Sequence, residues 1–178
     1  MTIKKILIAP DPFLKQISKP VDFVTKEIQI LMDDMLDTMY DAPGIGLAAV
    51  QIGVPLRVIV IDIAWRNEDG KKEPMYFVNP EIISTVDSMS TYEEGCLSVP
   101  DQYAEIDRPE KCKIKYLDYM GNEQIMLAEG VLATCIQHEI DHLEGILFID
   151  HLSNLKKNMI VKKLIKSKKS SNKERIVA

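Results

Sequence analysis

Two of the three histidines in this 178-residue chain lie in one pentapeptide, His138-Glu139-Ile140-Asp141-His142. Residues four apart on a helix lie one above the other, so both imidazoles can reach a single metal ion. Glu139 then stands at the edge of the coordination sphere, where a carboxylate can take a proton from a metal-bound water. A lone histidine is more often a satisfied core or surface residue, but a pair at this spacing with that glutamate points to a metal site.

A catalytic metal needs a third protein ligand. A gluzincin-like protease would take a downstream carboxylate, yet the only acids beyond Gly145 are Asp150, too near, and Glu174, in a basic tail. The metzincin pattern His-Glu-x-x-His-x-x-Gly-x-x-His keeps Gly145 but meets Phe148 at the ligand position, and His151 comes three residues too late. His151 reads as a surface or helix-capping residue. The remaining candidate is Cys96, in Glu93-Glu94-Gly95-Cys96-Leu97-Ser98-Val99-Pro100. Its acidic and glycine flanks suggest an exposed, irregular segment. A thiolate with two imidazoles suits Zn2+ or Fe2+ and leaves a fourth position for water. Cys112 alternates like a strand residue and Cys135 lies in the apolar run entering the helix, so both read as structural. Three cysteines make no disulfide framework and fit a reducing cytosol.

Gly44-Ile45-Gly46-Leu47-Ala48-Ala49-Val50-Gln51, Glu94-Gly95-Cys96-Leu97-Ser98 and His138-Glu139-Ile140-Asp141-His142 resemble, in order, the three signature motifs of the peptide deformylases. The resemblance runs from about residue 3 to about residue 160. It implies that Cys96, His138 and His142 bind one divalent metal ion per chain, Fe2+ in the cell, with Zn2+, Ni2+ or Co2+ acceptable. It implies removal of the formyl group from N-formylmethionyl peptides or nascent chains, with release of formate. Glu139 would move the proton, and the Gln51 amide and the Leu97 backbone N–H would hold the oxyanion. Gly44, Ile45 and Gly46 would pair with an extended substrate, and Val131, Thr134 and Cys135, on the His138 face of the helix, would help build the methionine pocket. Glu94 and Arg108 would form an ion pair behind the cysteine, and Asp141 would orient a ligand from behind. Thr134 is more polar than the aliphatic residue expected there, and Tyr103 stands where the family commonly has arginine. Two other readings stay open: a zincin-type metallopeptidase, and a non-catalytic module holding a structural metal and RNA.

These residues need elements to position them. Val24, Ile28, Leu31, Met35 and Met39 form a helical stripe, predicting a helix from Asp22, as N-cap, to Tyr40, ended by Ala42-Pro43-Gly44. The methionines read as core filler. Leu56–Ile63, Tyr76–Val78, Glu81–Val86, Lys111–Asp118 and Glu123–Ala128 read as strands, with turns at Asn67–Lys72 and Met120-Gly121-Asn122. Residues 3–20, broken by Pro10, Pro12 and Pro20, read as extended or loop-like. The metal helix fits Val131–Leu143, and Leu152, Leu155, Met159 and Leu164-Ile165 start a C-terminal helix. The expected fold is α+β, with antiparallel sheets packed around a central metal-binding helix and helices near both ends.

With 46% apolar and 28% charged residues, collagenous, disordered and disulfide-scaffold classes are excluded. The length suits one catalytic domain over residues 1–164, followed by a basic tail, 165–178, fraying from Ser167. No apolar run approaches a membrane span and the N-terminus lacks a signal sequence, so a cytoplasmic, monomeric protein is expected. Net charge is −5, but residues 155–178 carry +8 and the rest −13. That division predicts contact between the C-terminal helix and a polyanion, and the resemblance makes the ribosome the candidate.

Overall fold

The computed structural model describes residues 2–67 and 70–177, with side chains described as far as Lys168. Among the described residues three α-helices, α1 (Lys26–Asp41), α2 (Gly130–Leu143) and α3 (Asn154–Val177), combine with seven strands. The strands are β1 (Gly46–Ala48), β2 (Val58–Ile61), β3 (Met75–Thr85), β4 (Met89–Cys96), β5 (Val99–Pro109), β6 (Lys111–Leu117) and β7 (Glu123–Glu129). All pairings between these strands are antiparallel: one sheet has the order β1-β2-β3-β6-β7, and β4-β5 form a separate hairpin.

The layering follows from β2. All four of its residues are buried, and alternate side chains leave opposite faces of the sheet. Ile59 and Ile61 join Ala133, Ile136, Ile140 and Leu143 of α2, while Val58 and Val60 join Met32, Met35 and Met39 of α1. The sheet is therefore sandwiched between the two helices, and α2 occupies the interior, as the α+β expectation required. Each such aliphatic side chain contributes roughly 1.5–3 kcal/mol on burial. A third cluster, with Leu14, Ile106, Phe148 and Leu164, seats the hairpin and α3 on the body.

Several expected boundaries moved. α1 begins at Lys26 with Thr25 at the N-cap, four residues beyond Asp22. Upstream, Val21 N–H donates to Asn79 Oδ1 (2.8 Å) and Asn79 Nδ2 donates to Val21 O (2.7 Å), holding that segment against β3. Tyr76–Val78 and Glu81–Val86 belong to one strand interrupted by register shifts at Val78/Glu81 and Ile82/Ser84. Asn79, with φ +52°, takes up the first irregularity. Cys96 is the last residue of strand β4, not part of an irregular exposed loop. Of the turn expected at Asn67–Lys72, Glu68 and Asp69 lie outside the described residues. Helix α3 runs through the Ser167–Lys173 stretch expected to fray; side chains from Lys169 onward lie outside the described residues. Among the described residues no helix is long and apolar enough to cross a membrane.

Gly145 ends the α2 segment with φ +72°, and Ile146 N–H returns to Asp141 O (2.9 Å). The chain then turns through a 3-10 segment, Phe148–His151, tied down by Asp150. Asp150 accepts from Lys15 Nζ, from Lys157 Nζ (2.5 Å) and from Leu147 N–H (2.8 Å). Burial alone would raise its pKa, but the two lysines and the Leu147 N–H outweigh it and hold the carboxyl down to about 2. Asp150 thus adds stability above its ordinary range near pH 4, and that share is lost as pH falls toward about 2. Urea unfolding should show Asp150→Asn less stable than wild type at pH 7, with the gap closing between about pH 4 and pH 2.

Candidate metal centre

Cys96 ends β4, and His138 and His142 lie on successive turns of α2. Their ligand atoms all fall within 4.8 Å of one another. Cys96 Sγ is 3.2 Å from His142 Nε2, and the imidazoles meet edge to face with centroids 5.0 Å apart. Both histidines are buried. His138 Nδ1 donates to Glu94 Oε2 (2.8 Å), which fixes the tautomer and leaves Nε2 as its ligand atom. Phe148, which occupies the metzincin ligand position, stacks on His138 at 6.2 Å. His151 Nε2 is committed to Asp141 Oδ2 (2.7 Å) and stands outside the cluster. The donor set fits a thiophilic divalent cation: one thiolate and two imidazoles converge, and buried Glu139 Oε2 faces no hydrogen-bond partner.

Glu94 and Cys96 are two apart on one strand and share a face. Glu94 accepts from Arg108 through Nε (2.5 Å) and NH2 (3.1 Å), the expected ion pair, and this pair is buried. Arg108 NH1 also donates to Asp141 Oδ2 (2.9 Å). Asp141 therefore touches neither histidine ligand directly; it reaches His138 only through Arg108 and Glu94. Asp141 thus stands behind the ligand at two removes, its side chain reaching toward Arg108 on β5. Burial opposes the charge on Glu94, but His138 and Arg108 hold its carboxyl down to about 2. Burial likewise works against the Arg108 charge, and Glu94 with Asp141 overcomes it and raises the pKa.

Gln51 is buried, and its carbonyl accepts from Ala48 N–H (2.8 Å). That contact aims the amide Nε2 at Ser98 Oγ (3.1 Å) and Cys96 Sγ (3.6 Å). Ser98, absent from the expected site, thus helps orient Gln51; its place directly after Cys96-Leu97 was the available signal. A Cβ on Gly46 would collide with the Glu139 carboxylate and lie 2.9 Å from Cys135 Sγ, so only glycine lets β1 approach this closely. Burial is the main reason the Glu139 carboxyl is raised to about 7; His138 and Arg108 pull it down, while Glu94 and Asp141 push it up.

A cleft of about 680 Å³ opens over these groups. Gly44 and Ile45, just before edge strand β1, and Gly46, its first residue, line one wall, and Gly95, Leu97 and Tyr103 from the hairpin line the other. Val131, Thr134 and Cys135 of α2 line it beside His138 and Glu139. Val131 is half-exposed, whereas Thr134 and Cys135 are buried. The free edge of a sheet can take an extended peptide by strand addition.

Replacing Arg108 with methionine removes the cation that balances the buried Glu94 carboxylate, and the loss should be about 3–5 kcal/mol. Urea unfolding at pH 7 checks it. Arg108→Lys should restore only part, because one ammonium cannot serve Glu94 bidentately and Asp141 together.

The polypeptide deformylase family model matches residues 3–158. A peptide deformylase of Pelagibacter ubique is 66% identical over 168 residues, covering 94% of this chain and 96% of that protein. One from Mesorhizobium japonicum is 59% identical over 166 residues, covering 93% of each. The crystal structure of peptide deformylase from Ehrlichia chaffeensis superposes with a TM-score of 0.90 at 39% identity, over 96% of this chain and 99% of that one. With the Cys96/His138/His142 cluster standing under a cleft bordered by a free sheet edge, this chain belongs to the polypeptide deformylase family.

Proposed function

We propose that Cys96, His138 and His142 hold one Fe2+ ion per chain, and that Glu139, Gln51 and Leu97 carry the hydrolysis of the formyl group from N-formylmethionyl peptides and nascent chains. The family is metal-dependent and removes that group as formate. The observation that carries the residue assignment is the convergence of one sulfur and two imidazole nitrogens beside a buried, unpartnered Glu139 oxygen. When bound, the cation supplies Lewis acidity, lowering the pKa of a water and polarising a carbonyl.

The peptide lies extended along Gly44-Ile45-Gly46, with its methionine side chain against Val131, Thr134 and Cys135. Glu139 accepts a proton as water adds to the formyl carbon. The Gln51 amide N–H, already aimed by Ala48, and the Leu97 backbone N–H donate to the oxygen that gains charge. Glu139 then returns the proton to the departing amine, the C–N bond breaks and formate leaves. Glu94, Arg108 and Asp141 keep the ligands in register without touching substrate. Zn2+, Ni2+ or Co2+ would be accepted by the same donors.

The chain acts as a cytoplasmic monomer, and the basic helix α3 with its tail contacts the ribosome. The +8 charge of residues 155–178 supports attraction to ribosomal RNA, an attraction that weakens with salt. The zincin reading required His151 as ligand, and its bond to Asp141 removes that support.

Formate release from formyl-Met-Ala-Ser, with metal quantified on the same anaerobic sample, tests the assignment. Glu139→Ala should keep one metal per chain and lose about 10²–10⁴-fold in rate, whereas Cys96→Ala should lose the metal. A Glu139→Ala protein as active as wild type would overturn the proton-transfer role. Deleting residues 165–178 should abolish cosedimentation with ribosomes at low salt, and unchanged cosedimentation would refute the contact.

A further inference from the structure

We propose that His151 is a positioning residue for the metal centre, the outer end of a chain of charged hydrogen bonds that sets the orientation of His138. This rests on the metal reading above and extends it by one residue from outside the three motifs. His151 closes the 3-10 segment that follows α2, and its Nε2–H donates to Asp141 Oδ2 (2.7 Å). The same oxygen accepts from Arg108 NH1 (2.9 Å). Arg108 turns its Nε and NH2 onto Glu94, and Glu94 Oε2, which takes NH2 at 3.1 Å, also takes His138 Nδ1 at 2.8 Å. Two carboxylate oxygens are thus shared between successive partners, so moving either one moves the next donor along.

The order is imidazole, carboxylate, guanidinium, carboxylate, imidazole, with the one guanidinium between two carboxylates and an imidazole N–H at each end. Its inner members are buried, while the Asp141 side chain is 20% exposed and that of His151 39%. At the outer end water competes for Asp141, and without His151 the remaining hold on that carboxylate among the described residues is Arg108. The neighbouring acid does not draw His151 away from Asp141, because Asp150 is occupied by Lys15, Lys157 and the Leu147 N–H. An N–H donor at position 151 therefore limits the rotation of Asp141 and, through Arg108, keeps Glu94 square on His138. The task needs a donor reaching Asp141 and no metal contact.

The test loads full-length protein with Co2+ anaerobically and follows its visible absorption, then the loss of that absorption to excess chelator. His151→Ala should release Co2+ about two- to fivefold faster than wild type, the scale of one exposed charged hydrogen bond. His151→Gln, whose amide can donate to the same oxygen, should release it at nearly the wild-type rate. In an Asp141→Ala background, His151→Ala should add nothing further. Equal release from wild type and His151→Ala, or an undiminished effect in the Asp141→Ala background, would overturn the inference while leaving the metal site standing. A wild type that never shows thiolate-to-Co2+ absorption would sink the metal reading and this inference with it.

Discussion

One buried guanidinium holds together the two elements that carry the candidate ligands. Cys96 belongs to a hairpin outside the main sheet, and His138 and His142 belong to a helix packed inside it. Apolar contact alone is non-directional and would leave the hairpin free to slide over the helix. Arg108 removes that freedom because it is buried and must keep its partners: an unpaired charge at that depth costs several kcal/mol. Its planar fork grips Glu94 on the cysteine strand and Asp141 on the histidine helix at once. The sulfur and the imidazoles inherit their separation from that grip.

The same economy of space shapes the reactive side of the site. Glu139 sits against a strand that can come so near only because position 46 has no side chain. Burial there raises the carboxyl toward neutrality, where one group can both accept and give a proton. Gln51 is aimed before any substrate arrives, since its carbonyl is spent on Ala48 and only its N–H groups face Cys96. β1, short and at the edge of the sheet, borders the cleft, so the feature that exposes a sheet edge also offers a place for a peptide strand.

Legibility in the sequence depended on how local each feature is. The metal helix could be read to within one residue, because histidines at i and i+4 and an apolar face are properties of a single helix. Strands β2, β6 and β7 were visible from their alternation and β-branched residues. The β4–β5 hairpin was not: Glu93, Glu94, Glu105 and Arg108 make it look like a polar loop, and Glu94 and Arg108 are buried only because each neutralises the other. The three-residue strand β1 escaped for the opposite reason, being too short to show any period. Asp22 looked like a helix cap until Asn79, 58 residues away from Val21 in the chain, drew the preceding segment aside.

The sequence by itself determined the donor types that converge, the carboxylate beside them, the motif order, the α+β class and the charged tail. Each is a matter of residue identity and short spacing, which survives without knowledge of neighbours. Only the tertiary structure decided that Asp141 acts through Arg108, that Ser98 helps orient Gln51, that Phe148 backs His138, and that His151 reaches Asp141. Those pairings join residues ten or more positions apart, beyond the short spacings within one helix or strand. Hydrogen-bond geometry and the cost of buried charge select them, and both exist only once the layers have packed.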